Sequence, residues 1–170
     1  MNYKIDALEI LLNKECILER YYSLIPFKNE LINKLKANNI LTKEDAINSD
    51  NILLDILKDI SLVNLFKRFL NMYEINKTKL KEINKLSLTN EEIKSFKELY
   101  LLPGVKATRA RLYYLSSLKT LKDISNKTSE EIINLTKKAI IKNNLDCKEP
   151  LVKEANTHIA VAKLLTEYLI

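Results

Sequence analysis

The sequence is short of the residues that make turns: it holds one glycine and three prolines in 170 residues. β-Hairpins and tight connections depend on these residues, so their scarcity favours helices joined by short polar loops. Hydrophobic residues make up 46% of the chain, which is enough for a core and argues against disorder. The length suits one domain or two small ones.

Residues that carry chemistry are also scarce. Two cysteines and one histidine are too few for a disulfide framework or a zinc site. We expect Cys16 and Cys147 to be buried or partly buried structural thiols, and His158 to lie at the edge of the core or on the surface. No glycine-rich phosphate loop and no Ser-His-Asp arrangement is recognisable. We therefore predict a protein that is not an enzyme and uses neither a cofactor nor a metal.

Long apolar segments are missing as well. No run approaches the roughly 18–20 uncharged residues of a membrane span. The first residues form an amphipathic pattern rather than a signal peptide. Together with the low cysteine content, this predicts a cytoplasmic protein without membrane association.

Charge of one sign is in excess, with a net charge of +6. A basic chain suggests nucleic acid as a partner. However, the chain is rich in Lys, Asn and Ile, a bias that an AT-rich genome produces without functional demand. Most lysines are therefore expected on solvated helix faces, and the location of the charge matters more than its total.

Apolar residues at helical spacing predict helices along the whole chain. The first is expected over residues 3–23 and the second over residues 28–37. Thr42 and Thr120 are expected to cap short helices. Thr89 and Thr128 each precede a glutamate by three residues, which is the pattern of a capping box. Pro150 suits the first turn of the last helix.

The single glycine, Gly104, lies between one apolar helical pattern that ends near Leu102 and another that starts near Ala107. This predicts a tight turn between two short helices, where glycine permits a bend that a side chain would obstruct. The helix that follows presents free amide groups and a positive dipole end, which can bind a phosphate. The candidate binding residues are Gly104, Val105, Lys106, Ala107, Thr108 and Arg109.

An internal repeat surrounds this turn. Residues 23–28 align with residues 100–106, with Gly104 missing from the first copy. In the same register Thr42 matches Thr120, and an aspartate follows each of them three residues later. A shared proline turn, cap and acidic residue favour a true repeat over chance similarity between helices.

The second copy reads Leu-Pro-Gly-Val, followed by Ala110, Tyr113 and Thr120, and it resembles a helix-hairpin-helix unit. Together the copies resemble a bacterial family of tandem helix-hairpin-helix domains of unknown function, over about residues 20–145. The resemblance implies an all-α fold without known catalytic residues. Related hairpins in DNA repair and replication proteins hold the DNA backbone without reading sequence. Lys106 stands at the second glycine of the hairpin pattern, and Ser117, or Asn39 in the first copy, stands at the glycine that ends the helix.

The two copies differ in charge. Residues 103–125 hold five basic residues and one acidic residue, whereas residues 26–48 hold four and three. Lys106 and Arg109 are three residues apart, so both can face one phosphate. Their counterparts in the first copy are Lys28 and Leu31, and Glu30 beside them would repel a phosphate. The first hairpin is therefore expected to be structural, and only the second is a candidate binder.

The sequence thus predicts an all-α protein with two helix-hairpin-helix units, the second well formed and the first degenerate, joined by linking helices. The halves are expected at residues 1–85 and 86–170, within one continuous domain. We expect one of Tyr113 and Tyr114 to fill the core rather than stack on bases. The predicted function is binding of the DNA backbone without sequence specificity. The alternative is a protein–protein interaction or scaffold module, with a protein as partner.

Overall fold

The structure is a computed structural model that describes all 170 residues, and its regular elements are helical. The only β-type pairings are two isolated bridges, Tyr3 with Leu169 and Lys4 with Thr42. The all-α prediction is therefore confirmed. No helix combines the length and the apolar character that crossing a bilayer requires. The α-helices are α1 (Leu8–Leu11), α2 (Lys28–Ala37), α3 (Lys43–Ile47), α4 (Asp50–Leu57), α5 (Ile60–Asn71), α6 (Lys77–Ile83), α7 (Asn90–Leu99), α8 (Ala107–Leu115), α9 (Leu121–Ser125), α10 (Ser129–Asn143) and α11 (Val152–Lys163).

Threonine side chains cap the helices at Thr42, Thr89, Thr120 and Thr128, as predicted. The hydroxyl of Thr89 accepts the amide of Glu92 at 3.2 Å, and the hydroxyl of Thr128 accepts the amide of Glu131 at 3.2 Å. In each box the glutamate carboxylate accepts the threonine amide in return. Thr120 caps α9 in the same way. These bonds satisfy donors that have no partner inside the helix, so they set where α7, α9 and α10 begin.

The N-terminal segment is not the single long helix that the apolar spacing predicted. A 3-10 helix at Ile5–Ala7 leads into α1, and a second 3-10 helix covers Glu19–Phe27. Between them the side chain of Asn13 accepts the amide of Glu15 at 2.9 Å, and its carbonyl accepts the amide of Cys16 at 3.1 Å. Asparagine offers the backbone these local alternatives to a helix, and apolar periodicity does not register them.

The start of the last helix also differs from the prediction. Leu151 is the N-cap of α11, and its carbonyl accepts the amide of Ala155 at 3.0 Å. Pro150 therefore precedes the helix instead of occupying its first turn. The helix begins later because Leu151 has an extended backbone, with φ −69° and ψ 159°.

The internal contacts of the chain divide it into two units. The first unit consists of Met1–Glu74 together with Glu167–Ile170, and the second consists of Ile75–Thr166. The predicted halves at residue 85 and the single continuous domain stay predictions. In the first unit Phe69 lies against the ring of Tyr21, with 5.4 Å between centroids. The hydroxyl of Tyr3 donates to the carbonyl of Leu70 at 2.9 Å, which ties the N-terminal segment to α5.

A buried lysine connects both ends of the segment Met1–Glu74 in the first unit. Lys43 is only 4% exposed, and its ammonium pairs with Glu74 and donates to the carbonyl of Met1 at 2.9 Å. The Met1 amino group also pairs with Glu74, at 3.0 Å. The hydrogen bond from Lys43 is the main reason why the pKa of Glu74 lies below its usual value. Pairing of this kind lets a charge lie inside a protein.

The second unit contains α7 and α8, joined by the turn around Gly104, and we refer to these three parts as the hairpin. Phe96 of α7 stacks on Tyr100, with 6.2 Å between centroids, and meets the edge of Tyr114 at 6.4 Å. Leu102 and Val105 are fully buried at the two sides of the turn. The apolar core therefore holds both ends of the turn and leaves the residues between them at the surface.

The two aligned segments end with the same backbone geometry. Asn39 after α2 and Ser117 after α8 are both left-handed, with φ 58° and φ 62°. The next amide, Ile40 or Leu118, donates in each case at 2.9 Å to the carbonyl five residues earlier. This bond and the left-handed residue are those of a Schellman motif.

The segments that follow α2 and α8 are also similar, whereas the segments that precede these two helices differ. Thr42 accepts the amide of Asp45 at 3.2 Å, and Thr120 accepts the amide of Asp123 at 3.0 Å. At the other end, the 3-10 helix Glu19–Phe27 runs directly into α2, whereas a turn precedes α8. The segments that the sequence aligned therefore share their C-terminal caps and differ where the first copy lacks a glycine.

Candidate functional site

The turn between α7 and α8 depends on Gly104, which has φ +72°. Residues other than glycine rarely adopt this conformation. No atom lies within 4 Å of the position that a Cβ would take at Gly104. Glycine is thus required by the backbone conformation and not by lack of space, and the surface beside it is open. The turn is closed by the amide of Val105, which donates to the carbonyl of Leu102 at 3.3 Å.

The N-terminus of α8 has no side-chain cap. Lys106 is the N-cap residue, and its side chain accepts no hydrogen bond from the helix. The first amides of an α-helix have no acceptor inside the helix, so those of Ala107 and Thr108 stay available next to the positive end of the helix dipole. Lys106 and Thr108 are exposed, and the Lys106 ammonium forms no ion pair.

Arg109, which was predicted to share a phosphate with Lys106, is engaged within the protein. Its Nε and Nη2 donate to the two carboxylate oxygens of Glu154 at 2.9 and 3.2 Å, and its Nη1 donates to the carbonyl of Lys148 at 2.8 Å. The side chain is 20% exposed. A bidentate pair of this kind is among the stronger polar contacts in proteins. A phosphate at Arg109 would therefore have to compete with Glu154.

Other basic residues of the positively charged segment are paired too. Arg111 forms an ion pair with Glu92 and lies over the ring of Phe96, 5.4 Å from its centroid. Lys119 pairs with Glu91 at 3.1 Å. Desolvation raises the pKa of Glu92, but hydrogen bonds from Arg111 and Thr89 outweigh it and bring the pKa below its usual value. Pairing reduces the positive charge that the hairpin offers to a ligand.

His158 of α11 lies directly under the turn. Its Nε2 is 2.8 Å from the carbonyl oxygen of Pro103, and its Nδ1 is 2.6 Å from the hydroxyl of Tyr113. A carbonyl only accepts, so Nε2 carries the proton and Nδ1 accepts from the Tyr113 hydroxyl. Burial lowers the pKa of His158, and the charges of Arg109 and Lys79 lower it further.

Two predictions about core residues have different outcomes here. Tyr113 is fully buried, which confirms that one of the paired tyrosines fills the core. His158 is 1% exposed, so its predicted place at the core edge or on the surface is wrong. The apolar pattern of the last helix gave no reason to bury a polar ring, because its two partners lie 45 and 55 residues away.

A cavity of about 280 Å³ borders the first turn of α8. Asp146 is one of its lining residues, and an acidic residue disfavours an anion in the cavity. Ala107 and Thr108 belong both to this lining and to the candidate phosphate site, so Asp146 also weakens the attraction of these amides for a phosphate. The lining residues of the cavity are Ala107, Thr108, Arg111, Leu145, Asp146 and Cys147.

Sequence reasoning missed Glu154 and His158, which hold the hairpin from α11. They are four residues apart, so they share one face of that helix. A carboxylate and the only histidine on an otherwise alanine-rich apolar face were the signal that could have identified them. Their partners on α8 are Arg109 and Tyr113, which are also four residues apart.

No group of three or more His, Cys, Asp or Glu side chains is arranged to hold a metal ion. Comparisons of the chain with family models, with curated proteins and with solved structures give no match. The arrangement of the hairpin itself is therefore the basis for a functional proposal.

Proposed function

We propose that the protein is a non-enzymatic helix-hairpin-helix protein that binds the DNA phosphate backbone without sequence specificity. The observation that carries the proposal is the open N-terminus of α8, where uncapped amides, the exposed Gly104 and the unpaired Lys106 lie together. Amides at a helix N-terminus bind phosphate oxygens well, and a lysine beside them adds a point charge. Neither group reads a base.

The similarity between two segments of this chain supports the tandem arrangement in this proposal. The segments around α2 and α8 share the left-handed residue, the following amide bond and the threonine cap. The second segment has the turn of a hairpin, and the first enters its helix through a 3-10 helix. We therefore assign the binding role to the second hairpin and a structural role to the first.

The ion pairs define how strong this binding can be. Arg109, Arg111 and Lys119 are paired with glutamates, which leaves Lys106 and the helix amides as the main phosphate contacts. One or two neutralised phosphates correspond to a slope of about −1 to −2 in a plot of log affinity against log salt concentration. Useful affinity would require a second site, supplied by another copy or by a partner.

The test is fluorescence anisotropy with short labelled duplex and single-stranded DNA, at low and at physiological salt. Lys106→Glu is expected to abolish a salt-sensitive and sequence-independent binding. Lys138→Glu on α10 makes the same charge change at an exposed position outside the hairpin and is expected to keep most of the affinity. Equal losses in both variants would assign the binding to net charge rather than to the hairpin. No binding at low salt with tens of micromolar protein would reject the proposal.

Lys106 is a better position for this test than Arg109. Replacing Arg109 by glutamate would place two carboxylates together at Glu154 and would leave the Lys148 carbonyl without its donor. A loss of DNA binding in that variant would then not distinguish a lost contact from a disturbed fold. Lys106 makes no such contact, so its substitution reports on the surface alone.

Exposed apolar residues favour one second candidate, a protein-interaction module. Ile141 near the end of α10 is 82% exposed, and Leu151 before α11 is 77% exposed. Large apolar side chains at the surface are common at protein interfaces when they form a continuous patch. Absence of DNA binding together with a protein partner whose capture is lost in Ile141→Ser and Leu151→Ser would support this function instead.

A further inference from the structure

The hairpin turn is held from beneath by one side chain of another helix. His158 of α11 reaches the Pro103 carbonyl next to Gly104 with one ring nitrogen and the Tyr113 hydroxyl of α8 with the other. The ring is 1% exposed, and Tyr113 is fully buried with its ring edge-on to the imidazole at 5.6 Å. The imidazole thus links the turn, α8 and α11 at a single point.

The hydrogen bonds of this link, as assigned, are those of a neutral ring. In the neutral form Nε2–H donates to Pro103, and Nδ1 accepts the proton of the Tyr113 hydroxyl. A proton on Nδ1 would oppose the hydroxyl proton, so the hydroxyl would have to rotate its own proton away from the ring and give up its bond to Nδ1. A buried donor that loses its partner is costly, and an added buried charge is more so.

The surroundings give the added charge little support. Arg109 on α8 and Lys79 on α6 disfavour it. The Pro103 carbonyl and Glu154 on α11 favour it, but Glu154 is already held by Arg109 and burial outweighs both. The remaining helices packed against α11 turn uncharged buried residues toward the core. These residues are Leu121, Ile124 and Ser125 of α9 and Ile132, Thr136 and Ala139 of α10.

We propose that His158 is a pH-sensitive lock on the hairpin, in which the neutral ring holds the turn closed and uptake of a proton accompanies local opening of residues 100–106. The lock concerns the hairpin itself and goes beyond the DNA-binding function, since it operates in the free protein. An imidazole released into solvent titrates near pH 6.5. As long as the closed form stays neutral, the open population rises about fivefold over the first pH unit below that value and approaches a tenfold rise for each unit further down.

The test is hydrogen exchange of the Val105 amide in the free full-length protein between pH 5 and pH 8, corrected for the intrinsic pH dependence of exchange. The matched variant is His158→Gln, whose amide can donate to Pro103 and accept from Tyr113 but does not titrate. The amide of Phe66 in α5 serves as the internal reference. We expect the opening constant at Val105 to rise about fivefold from pH 6.5 to 5.5 in the wild type, because half of the open-state imidazoles are already protonated at pH 6.5. In His158→Gln it is expected to stay constant, as it is for Phe66 in both proteins.

The same pH profile at Val105 in both proteins would overturn the proposal. Nitrogen NMR of the imidazole in the wild type gives an answer that needs no variant. A neutral ring protonated at Nε2 at pH 7, with imidazolium signals growing only in step with Val105 exchange, supports the lock. A ring protonated at Nδ1, or an imidazolium at pH 5.5 with unchanged Val105 exchange, overturns it. All these outcomes are independent of any DNA titration.

Discussion

Replacing Ser117 by glycine should stabilise the protein, although it removes a side chain. Ser117 has φ 62° directly after α8, where the amide of Leu118 donates to the Tyr113 carbonyl at 2.9 Å. A left-handed conformation costs a residue with a Cβ about 1–2 kcal/mol. Glycine avoids this cost but loses about 0.5–1 kcal/mol more conformational entropy on folding. The hydroxyl of Ser117 is exposed, so its loss adds little.

The expected net gain is about 0.5–1 kcal/mol, the difference between these two effects. In a chain of this size that corresponds to a rise of about 1–4 °C in Tm. The assay is denaturant unfolding with the midpoint and the slope fitted separately, because only a shifted midpoint at constant slope reports on stability.

Two further glycine substitutions serve as controls. Lys138→Gly in the exposed middle of α10 should cost about 1 kcal/mol, since a right-handed helical residue gains nothing from glycine. Asn39→Gly, at the equivalent position of the first segment with φ 58°, should gain less than Ser117→Gly because asparagine tolerates this conformation better. If Ser117→Gly lost as much stability as Lys138→Gly, the left-handed geometry after α8 would be refuted.

Three other substitutions test the turn, a cap and a buried pair. Gly104→Ala should cost about 1 kcal/mol in denaturant unfolding, because φ is +72° and a Cβ would meet no neighbour that adds to this backbone cost; an unchanged midpoint would contradict it. Thr120→Val removes the oxygen that accepts the Asp123 amide and should cost about 1 kcal/mol, with faster hydrogen exchange in α9 as the local sign. The pKa of Glu74 is lowered mainly by Lys43, so its contribution to stability is present at neutral pH and is lost as the pH falls through the folded-state pKa. The stability difference between the wild type and Glu74→Gln should therefore be smaller at pH 3 than at pH 7, and a difference that does not change with pH would argue against the pair.

Much of the helical organisation follows from local sequence. The capping boxes at Thr89 and Thr128 begin α7 and α10 where they were predicted, and the apolar spacing over residues 28–37 coincides with α2. These features depend on residues within one helical turn, so they can be recognised without the fold. The first helix was predicted wrongly because Asn13 bonds to the local backbone, an effect that competes with the apolar pattern.

The candidate site could be predicted only in part. Gly104 and the helix that starts at Ala107 identified the turn, and the exposed Lys106 lies at the N-terminus of that helix. The state of Arg109 could not be predicted, because its partner Glu154 lies 45 residues further along the chain. The net charge of +4 over residues 103–125 follows from the sequence alone. Which of these basic side chains are neutralised by an ion pair depends on the fold, as Arg109 and Arg111 show.

By itself, therefore, the sequence determined the all-α class, most helix boundaries, and the tight turn at its one glycine. These depend on spacing, capping and φ preference, which act between near neighbours. Only the tertiary structure decided that His158 is buried under the turn and that Glu154 holds Arg109. Hydrogen bonds and ion pairs between distant residues require helices to be packed in one particular arrangement, and no local pattern specifies which polar side chains then meet.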